Sequence, residues 1–320
     1  MSVLKSLSAN EQVALLFVIL FGVLGLVSAV TGLLGLREAD ERLHQRRQRW
    51  ARELRALWIG AGLFWLAWMT GRAGATLLFG LISFLALREY ITLLKTRRGD
   101  HRSLLLAFFV ALPVQYLLLA QGSYELFAVF IPVYVFLAIP VLSALAGDPE
   151  RFLERNAKIQ WGLTVCVYGL SHAPALVLLD GQRGAFLLFF LVMVVACAQL
   201  VQNAAERHWR RRPVARHIDR GFSLRAWATG CLVAAWLGAA LYWITPFKAP
   251  GALAMAGIAA AAGTLGEFVM SALKRDAGVR VWGNAPSVTG AVGLLDRVAP
   301  LCFAAPVFFH SVRWYFQLRP

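Results

Sequence analysis

Long apolar runs separated by short charged connections recur along the whole chain, at 12–36, 57–71, 74–94, 103–121, 124–146, 159–180, 185–204, 226–245, 250–273 and 296–316. Most approach the roughly 18–20 residues that a helix needs to cross the hydrocarbon core of a bilayer. In lipid the backbone must satisfy its own hydrogen bonds, so each run predicts an α-helix. The pattern therefore predicts an all-α polytopic integral membrane protein of about ten transmembrane helices, forming a single transmembrane domain over residues 1–320. The first run is too long for a secretory signal and lacks a small-residue cleavage site, so it is expected to remain as a span. Five prolines lie inside spans: Pro113, Pro132, Pro140, Pro174 and Pro306. Each predicts a bend whose freed carbonyl is taken up by a neighbour.

One polar stretch breaks the pattern. Glu38 to Leu57 is densely charged, with Leu43, Trp50, Leu54 and Leu57 at roughly helical spacing. It reads either as an amphipathic helix on the cytoplasmic membrane face or as a solvated helical arm.

Composition agrees with the pattern. Hydrophobic residues make up 59% of the chain and charged residues only 15%, against about 25% charged in ordinary domains. A soluble domain is excluded. The net charge of +15 adds an orientation, because basic residues gather in alternate connections: 37–55, 95–102, 151–158, 207–225 and 274–297. The positive-inside rule places these in the cytoplasm and both termini outside. With no soluble basic face, nucleic acid is excluded as a partner and membrane lipids are expected. The cysteines Cys166, Cys197, Cys231 and Cys302 all fall within apolar runs, without metal-ligand spacing, and are expected to be buried free thiols.

Glu267 is the first candidate for chemistry. It lies in an alanine-rich span, where a carboxylate is costly and marks function. At 100° per residue Glu267, Ser271 and Lys274 share one helical face. Asp296 and Arg297 open the next span, at a matching depth. Two carboxylates beside several cations suit a metal-bound phosphate ligand. Interfacial charges that pair only to set topology are the alternative. His172 is expected to be packed or hydrogen-bonded in a kinked span, His310 to be interfacial, and His208 and His217 to lie in a solvated loop. No Walker-type loop occurs and no internal repeat supports a transporter.

The run Ser271-Ala-Leu-Lys274-Arg275, followed by Gly290-Ala-Val-Gly293-Leu-Leu-Asp296-Arg297, resembles the signature of the CDP-diacylglycerol synthases (phosphatidate cytidylyltransferases). That signature reads S-x-x-K-R, then K-D, then G-H-G-G-x-x-D-R-x-D. The tail Leu301 to His310 and the run Phe84-Leu-Ala-Leu-Arg88-Glu89-Tyr90 are also similar to spans of that family. The resemblance implies a membrane enzyme that joins CTP to phosphatidic acid, releases pyrophosphate and uses Mg²⁺. It implies catalytic roles for Ser271, Lys274, Arg275 and Arg297, nucleotide contacts for Arg280, Gly290 and Gly293, and metal ligation by Glu267 and Asp296. It places the site in a helix pair over residues 250–316, facing the cytoplasm from a bacterial inner membrane, and is compatible with a homodimer. The chain departs from the family at Val281, Ala291, Val292 and Ala299, where an aspartate, the histidine, a glycine and a second aspartate are replaced. Upstream, Gln199 to Gln202 and Arg225 to Ala228 align with family stretches whose acids are absent here. Three readings stay open: a working cytidylyltransferase, a catalytically degenerate homologue that binds phospholipid or a lipid-synthesis partner, and a small-solute transporter, which the lack of repeats disfavours.

Overall fold

The structure, a computed structural model, describes residues 9–35, 54, 58–62, 65–94, 96–179, 183–209, 213–278 and 293–316. Of the expected features, the charged segment 38–57 (apart from Leu54) lies outside the described residues, as do Arg280, Val281, Gly290, Ala291 and Val292. Among the described residues every regular element is helical and no strand occurs. The chain divides into two compact units, Met1–Ala75 and Thr76–Pro320.

In the first unit, α1 (Ala9–Gly35) is a long apolar helix. Leu24 packs with Leu54 and Ala61, and the Trp58 indole donates to Ser28 Oγ at 3.0 Å. Phe17 meets Trp68 edge-on. Val18, Leu26 and Leu33 are exposed, as expected of side chains that face lipid.

The second unit is a succession of helices: α2 (Gly71–Thr92, entering from the first unit), α3 (Arg98–Ala120), α4 (Tyr124–Ala144), α5 (Phe152–Leu178), α6 (Gly184–Trp209), α7 (Leu224–Ala240), α8 (Ala249–Asp276) and α9 (Leu294–Tyr315). Among the described residues seven helices are long and apolar enough to cross a membrane: α1 to α6 and α8. Helix α7 is shorter, and α9 carries Asp296, Arg297, His310 and Arg313. This is a helical membrane protein, and each expected run coincides at least in part with described helix. The expectation of about ten spans thus resolves into these seven plus shorter or more polar helices.

The expected proline bends take a specific form. Helices α3, α4 and α5 each contain a π-helical stretch, at Ala107–Ala111, Phe130–Val135 and Leu163–Gly169, next to or around Pro113, Pro132 and Pro174. A widened turn makes room for a ring that lacks an N–H. Pro140 withdraws its N–H from the Phe136 carbonyl, and Gln160 of α5 donates to that oxygen instead, at 2.8 Å. Pro306 likewise frees the Cys302 carbonyl, against which Gly169 of α5 packs. A Cβ at Gly169 would stand 2.2 Å from that oxygen, so the approach needs glycine.

Side-chain contacts gather the basic connections within this unit at one end. Arg155 binds Asp100 and Asp148, and Arg275 reaches the 213–223 connection. The opposite end is joined by other contacts. Tyr124 donates to the Leu178 carbonyl, and Arg183 to those of Trp243 and Thr245. The up-and-down alternation read from the charge pattern is therefore present in the fold.

The alanine-rich sequence of α8 has a packing cause. Small residues let helix backbones approach closely where lipid supplies no hydrophobic drive. Ala252, Ala256, Ala259, Ala260 and Gly263 are buried. Gly266 lies beneath the Phe303 ring of α9, where a Cβ would come within 2.2 Å of ring carbon. That contact sets the antiparallel register of α8 against α9, and the register decides which charged residues meet.

Candidate active site at the basic end of the helices

The register set at Gly266 and Phe303 carries two turns further, to Lys274 on α8 and Asp296 on α9. Lys274 Nζ donates to Asp296 Oδ1 at 2.7 Å, with the side chains only 15% and 26% exposed. The two halves of the sequence signature, 22 residues apart in the chain, are thus joined by a partly sheltered ion pair. Glu267 is half-buried two turns back on the same face of α8. Its Oε2 accepts from Gln199 Nε2 of α6 at 2.9 Å. The carboxylate also lies within electrostatic reach of Lys274, and of Glu206 and Asp219. Lys274 is thus bonded to Asp296 of α9, while the Glu267 carboxylate, two turns back on α8, is held by α6.

The start of α9 is held by a residue whose role the sequence did not disclose. Gly293 adopts the left-handed conformation (φ 73°) before the first turn, a geometry that glycine reaches without strain. No side chain of its own caps the helix. Instead Glu89 of α2, 3% exposed, accepts from the Leu295 backbone N–H at 3.0 Å, and the N–H groups of Leu294 and Gly293 also point to it. A helix N-terminus carries unsatisfied donors and a partial positive charge, and a carboxylate from another helix answers both. Glu89 was visible in the sequence as a carboxylate in an apolar run. The rule that singled out Glu267 applies to it equally.

The other expected residues divide. Ser271 is half-buried on the Glu267 and Lys274 face. Arg275 is exposed and turns from Asp296: its Nε donates to the Ile218 carbonyl at 3.0 Å. This ties α8 to the connection whose Phe222 ring stacks on Phe268 at 4.4 Å. Arg297 is exposed at the mouth, in the first turn of α9. Gly293 shapes the helix start rather than offering a side chain, and Arg280 and Gly290 lie outside the described residues. His172 is fully buried, with Nδ1 2.7 Å from the Tyr168 carbonyl and aromatic rings around it. His310 is exposed, and so are His208 and His217. The four cysteines are free thiols, with Cys166 and Cys302 buried and Cys197 and Cys231 partly so.

In the stretch Gln199 to Gln202, Gln202 stands where the family resemblance implies an aspartate, and Gln199 matches a glutamine. Gln199 holds Glu267, and Gln202 Nε2 donates to Glu206 Oε1 at 3.0 Å, one turn further along α6. The position lacks the carboxylate, but the amides hold other carboxylates in place.

Among the described residues no group of three or more His, Cys, Asp and Glu side chains forms a closed metal site. Mg²⁺ seldom uses such a cage. It is held by one or two carboxylates and completes its shell with water and substrate phosphate. Glu267 and Asp296 are carboxylates of the kind that arrangement uses, the first bonded to Gln199 and the second to Lys274.

The comparisons with known proteins agree with this reading. The profile of the cytidylyltransferase family matches residues 50–315, a stretch that contains α2 to α9 and every site residue. The chain is also 35% identical over 242 residues to the uncharacterized protein YnbB of Escherichia coli (strain K12), a similarity covering 74% of this chain and 78% of that one. By the extent of the first match and the identity of the second, the chain belongs to the cytidylyltransferase family, whose class of chemistry is nucleotidyl transfer.

Proposed function

We propose that the protein transfers a cytidylyl group from CTP to phosphatidic acid at the cytoplasmic face of a bacterial inner membrane, forming CDP-diacylglycerol and pyrophosphate. The observation that carries the reading is the Lys274–Asp296 contact at 2.7 Å, which brings both surviving parts of the family signature to one place. A phosphate oxygen of phosphatidic acid would attack the α-phosphorus of CTP as the bond to pyrophosphate breaks. Lys274 and Arg297 would hold the phosphates and offset charge growing on the leaving group. Ser271 would line the same face, and Arg275 would hold the neighbouring connection in place from the rim. Glu267 and Asp296 would hold Mg²⁺, which when bound supplies charge neutralisation on the nucleotide phosphates. Gln199 orients the Glu267 carboxylate, and Glu89 fixes the depth of Asp296 through the start of α9.

A second reading has its own observation. Glu267 and Asp296 already have partners in Gln199 and Lys274, a closed arrangement that suits a non-catalytic descendant binding phospholipid.

One experiment tests both. Purified protein in lipid nanodiscs would receive labelled CTP, phosphatidic acid and Mg²⁺, with a Glu267→Ala/Asp296→Ala variant as background. CDP-lipid formed by the wild type, lost in the variant and on chelation, is the expected result. No product above background overturns the enzyme reading. Retained binding of phosphatidic acid would then favour the second.

A further inference from the structure

A cavity of about 440 Å³ opens where α2 gives way to α3, at the basic end of the unit. It is lined by Thr96, Arg97, Arg98, His101 and Leu104, none of which belongs to the candidate active site. Its volume falls within the roughly 300–1,000 Å³ of cavities that hold small ligands. Three of the lining residues carry basic side chains and none is acidic.

The fold holds the turn that carries these cations and leaves two of them without a counter-ion. Asp100, 2% exposed, accepts from the Arg97 backbone N–H at 2.8 Å and from Arg155 Nε of α5 at 2.7 Å. Gly99 lets the turn approach the same guanidinium, since a Cβ there would stand 2.9 Å from Arg155 Nη2. The neighbouring carboxylates are already engaged: Asp100 and Asp148 hold Arg155, while Asp148 and Glu150 pair with Arg97. Among the described residues no ion pair joins Arg98 or His101, and both are exposed. A fixed basic cavity with unneutralised charge selects an anion. Apolar surface continues from it. Leu104 forms part of the wall, and Leu105 and Phe109, one and two turns beyond His101 on α3, are 44% and 70% exposed. An anion with apolar chains attached therefore fits better than a free one, as in basic pockets that take lipid headgroups.

We propose that this cavity binds the phosphodiester headgroup of an anionic phospholipid, with Arg98 and His101 on the phosphate and the acyl chains along Leu105 and Phe109. The Thr96 hydroxyl donates to the same phosphate. A lipid held here is a bound component, separate from any lipid substrate at Lys274 and Asp296, and the assignment does not depend on the cytidylyl-transfer reading. The Arg98 side chain is exposed and lies outside the ion pairs of Arg97 and Arg155, so its replacement leaves that network in place.

The test is native mass spectrometry of the full chain in detergent, titrated with phosphatidylglycerol or with zwitterionic phosphatidylcholine. The wild type is expected to retain phosphatidylglycerol in preference. Arg98→Gln should weaken that lipid about fivefold, as for the loss of one basic residue near an anionic leaflet, and leave phosphatidylcholine unchanged. His101→Ala, at another wall of the cavity, should lower the same preference, and both variants should keep the wild-type unfolding midpoint. Arg102→Gln removes an equal charge one turn further along α3, outside the lining, and is expected to have little effect. Equal losses in Arg98→Gln and Arg102→Gln would mean diffuse attraction and overturn the site, as would a wild type without preference for phosphatidylglycerol. Soluble glycerol phosphate separates the two sources of phosphate. Lipid retained in its excess supports the headgroup assignment, whereas displacement at concentrations equal to those of the lipid overturns it.

Discussion

Two charged clusters at the basic end of the second unit are built on opposite terms. Around Arg155, 5% exposed, Nε meets Asp100 Oδ1 at 2.7 Å and Nη1 meets Asp148 Oδ2 at 3.0 Å. The same Nη1 donates to the Asp148 and Glu150 carbonyls. The other oxygen of Asp100 caps the Arg97 backbone N–H at 2.8 Å, and Arg97 in turn pairs with Asp148 and Glu150. The network locks the α2–α3 connection to the α4–α5 connection. Around Lys274, by contrast, the described residues show an ion pair to Asp296, an amide bond from Gln199 to Glu267, and the cations Arg275 and Arg297 exposed to solvent. A charge enclosed by several fixed partners has none to exchange for a ligand. A charge with one partner at a membrane face can exchange it, and that difference marks the second cluster as the site.

The comparison can be broken most sharply at the closed cluster. Arg155→Ala would strand Asp100 without its counter-ion in a buried setting, at a cost of about 3–5 kcal/mol. Thermal unfolding in detergent should show this, with transfer by the remaining folded protein unaffected. An unchanged midpoint would mean that the cluster is not structural. At the open cluster, Lys274→Ala should lower transfer by about 10²–10³-fold and stability by only about 1 kcal/mol or less, as for a partly exposed pair. A large loss of stability there would place the two clusters in one class.

Smaller effects sharpen the boundary between them. Glu89→Ala should cost about 1–2 kcal/mol as a lost helix cap and raise hydrogen exchange at the Gly293, Leu294 and Leu295 amides. Glu89→Gln, which keeps an acceptor oxygen, should lose less. Protection unchanged in Glu89→Ala would remove this residue from the positioning role. At the rim, Lys158→Met deletes an i,i+4 pair with Glu154 and should change stability by only about 0.2–0.5 kcal/mol.

These regions also differ in how much of them could be read in advance. The signature residues Lys274 and Asp296 were legible, because their chemistry is written in consecutive positions of two runs. Glu89 was quoted only as part of Arg88-Glu89-Tyr90. Its role depends on which helix start its carboxylate meets, and that partner lies 206 residues away in the chain. Arg155 and Asp100, separated by 55 residues, were read only as members of basic loops. The cations of the cavity at the start of α3 were likewise read as a basic loop. That Arg97 is paired with Asp148 and Glu150, while Arg98 has no such partner among the described residues, depends on the α4–α5 connection. Pro140 falls between these cases. The freed carbonyl was predictable from backbone chemistry, but the identity of Gln160 as its donor was not.

Hydropathy, charge and spacing are local properties, and they were enough for the helical class, the alternation of basic connections and the candidate cations and carboxylates. In lipid the backbone of each span must satisfy itself, so a span's existence depends on its own residues alone. Contacts between spans depend on shape. The fit of Gly266 under Phe303 sets the α8–α9 register, and with it the meeting of Lys274 and Asp296. The seat of Glu89 at the start of α9 and the closure of Arg155 on two connections arise in the same way, from helices distant in sequence packing at one end. Those placements were decided by the tertiary structure, because the distance between residues of separate helices is written in no stretch of the chain.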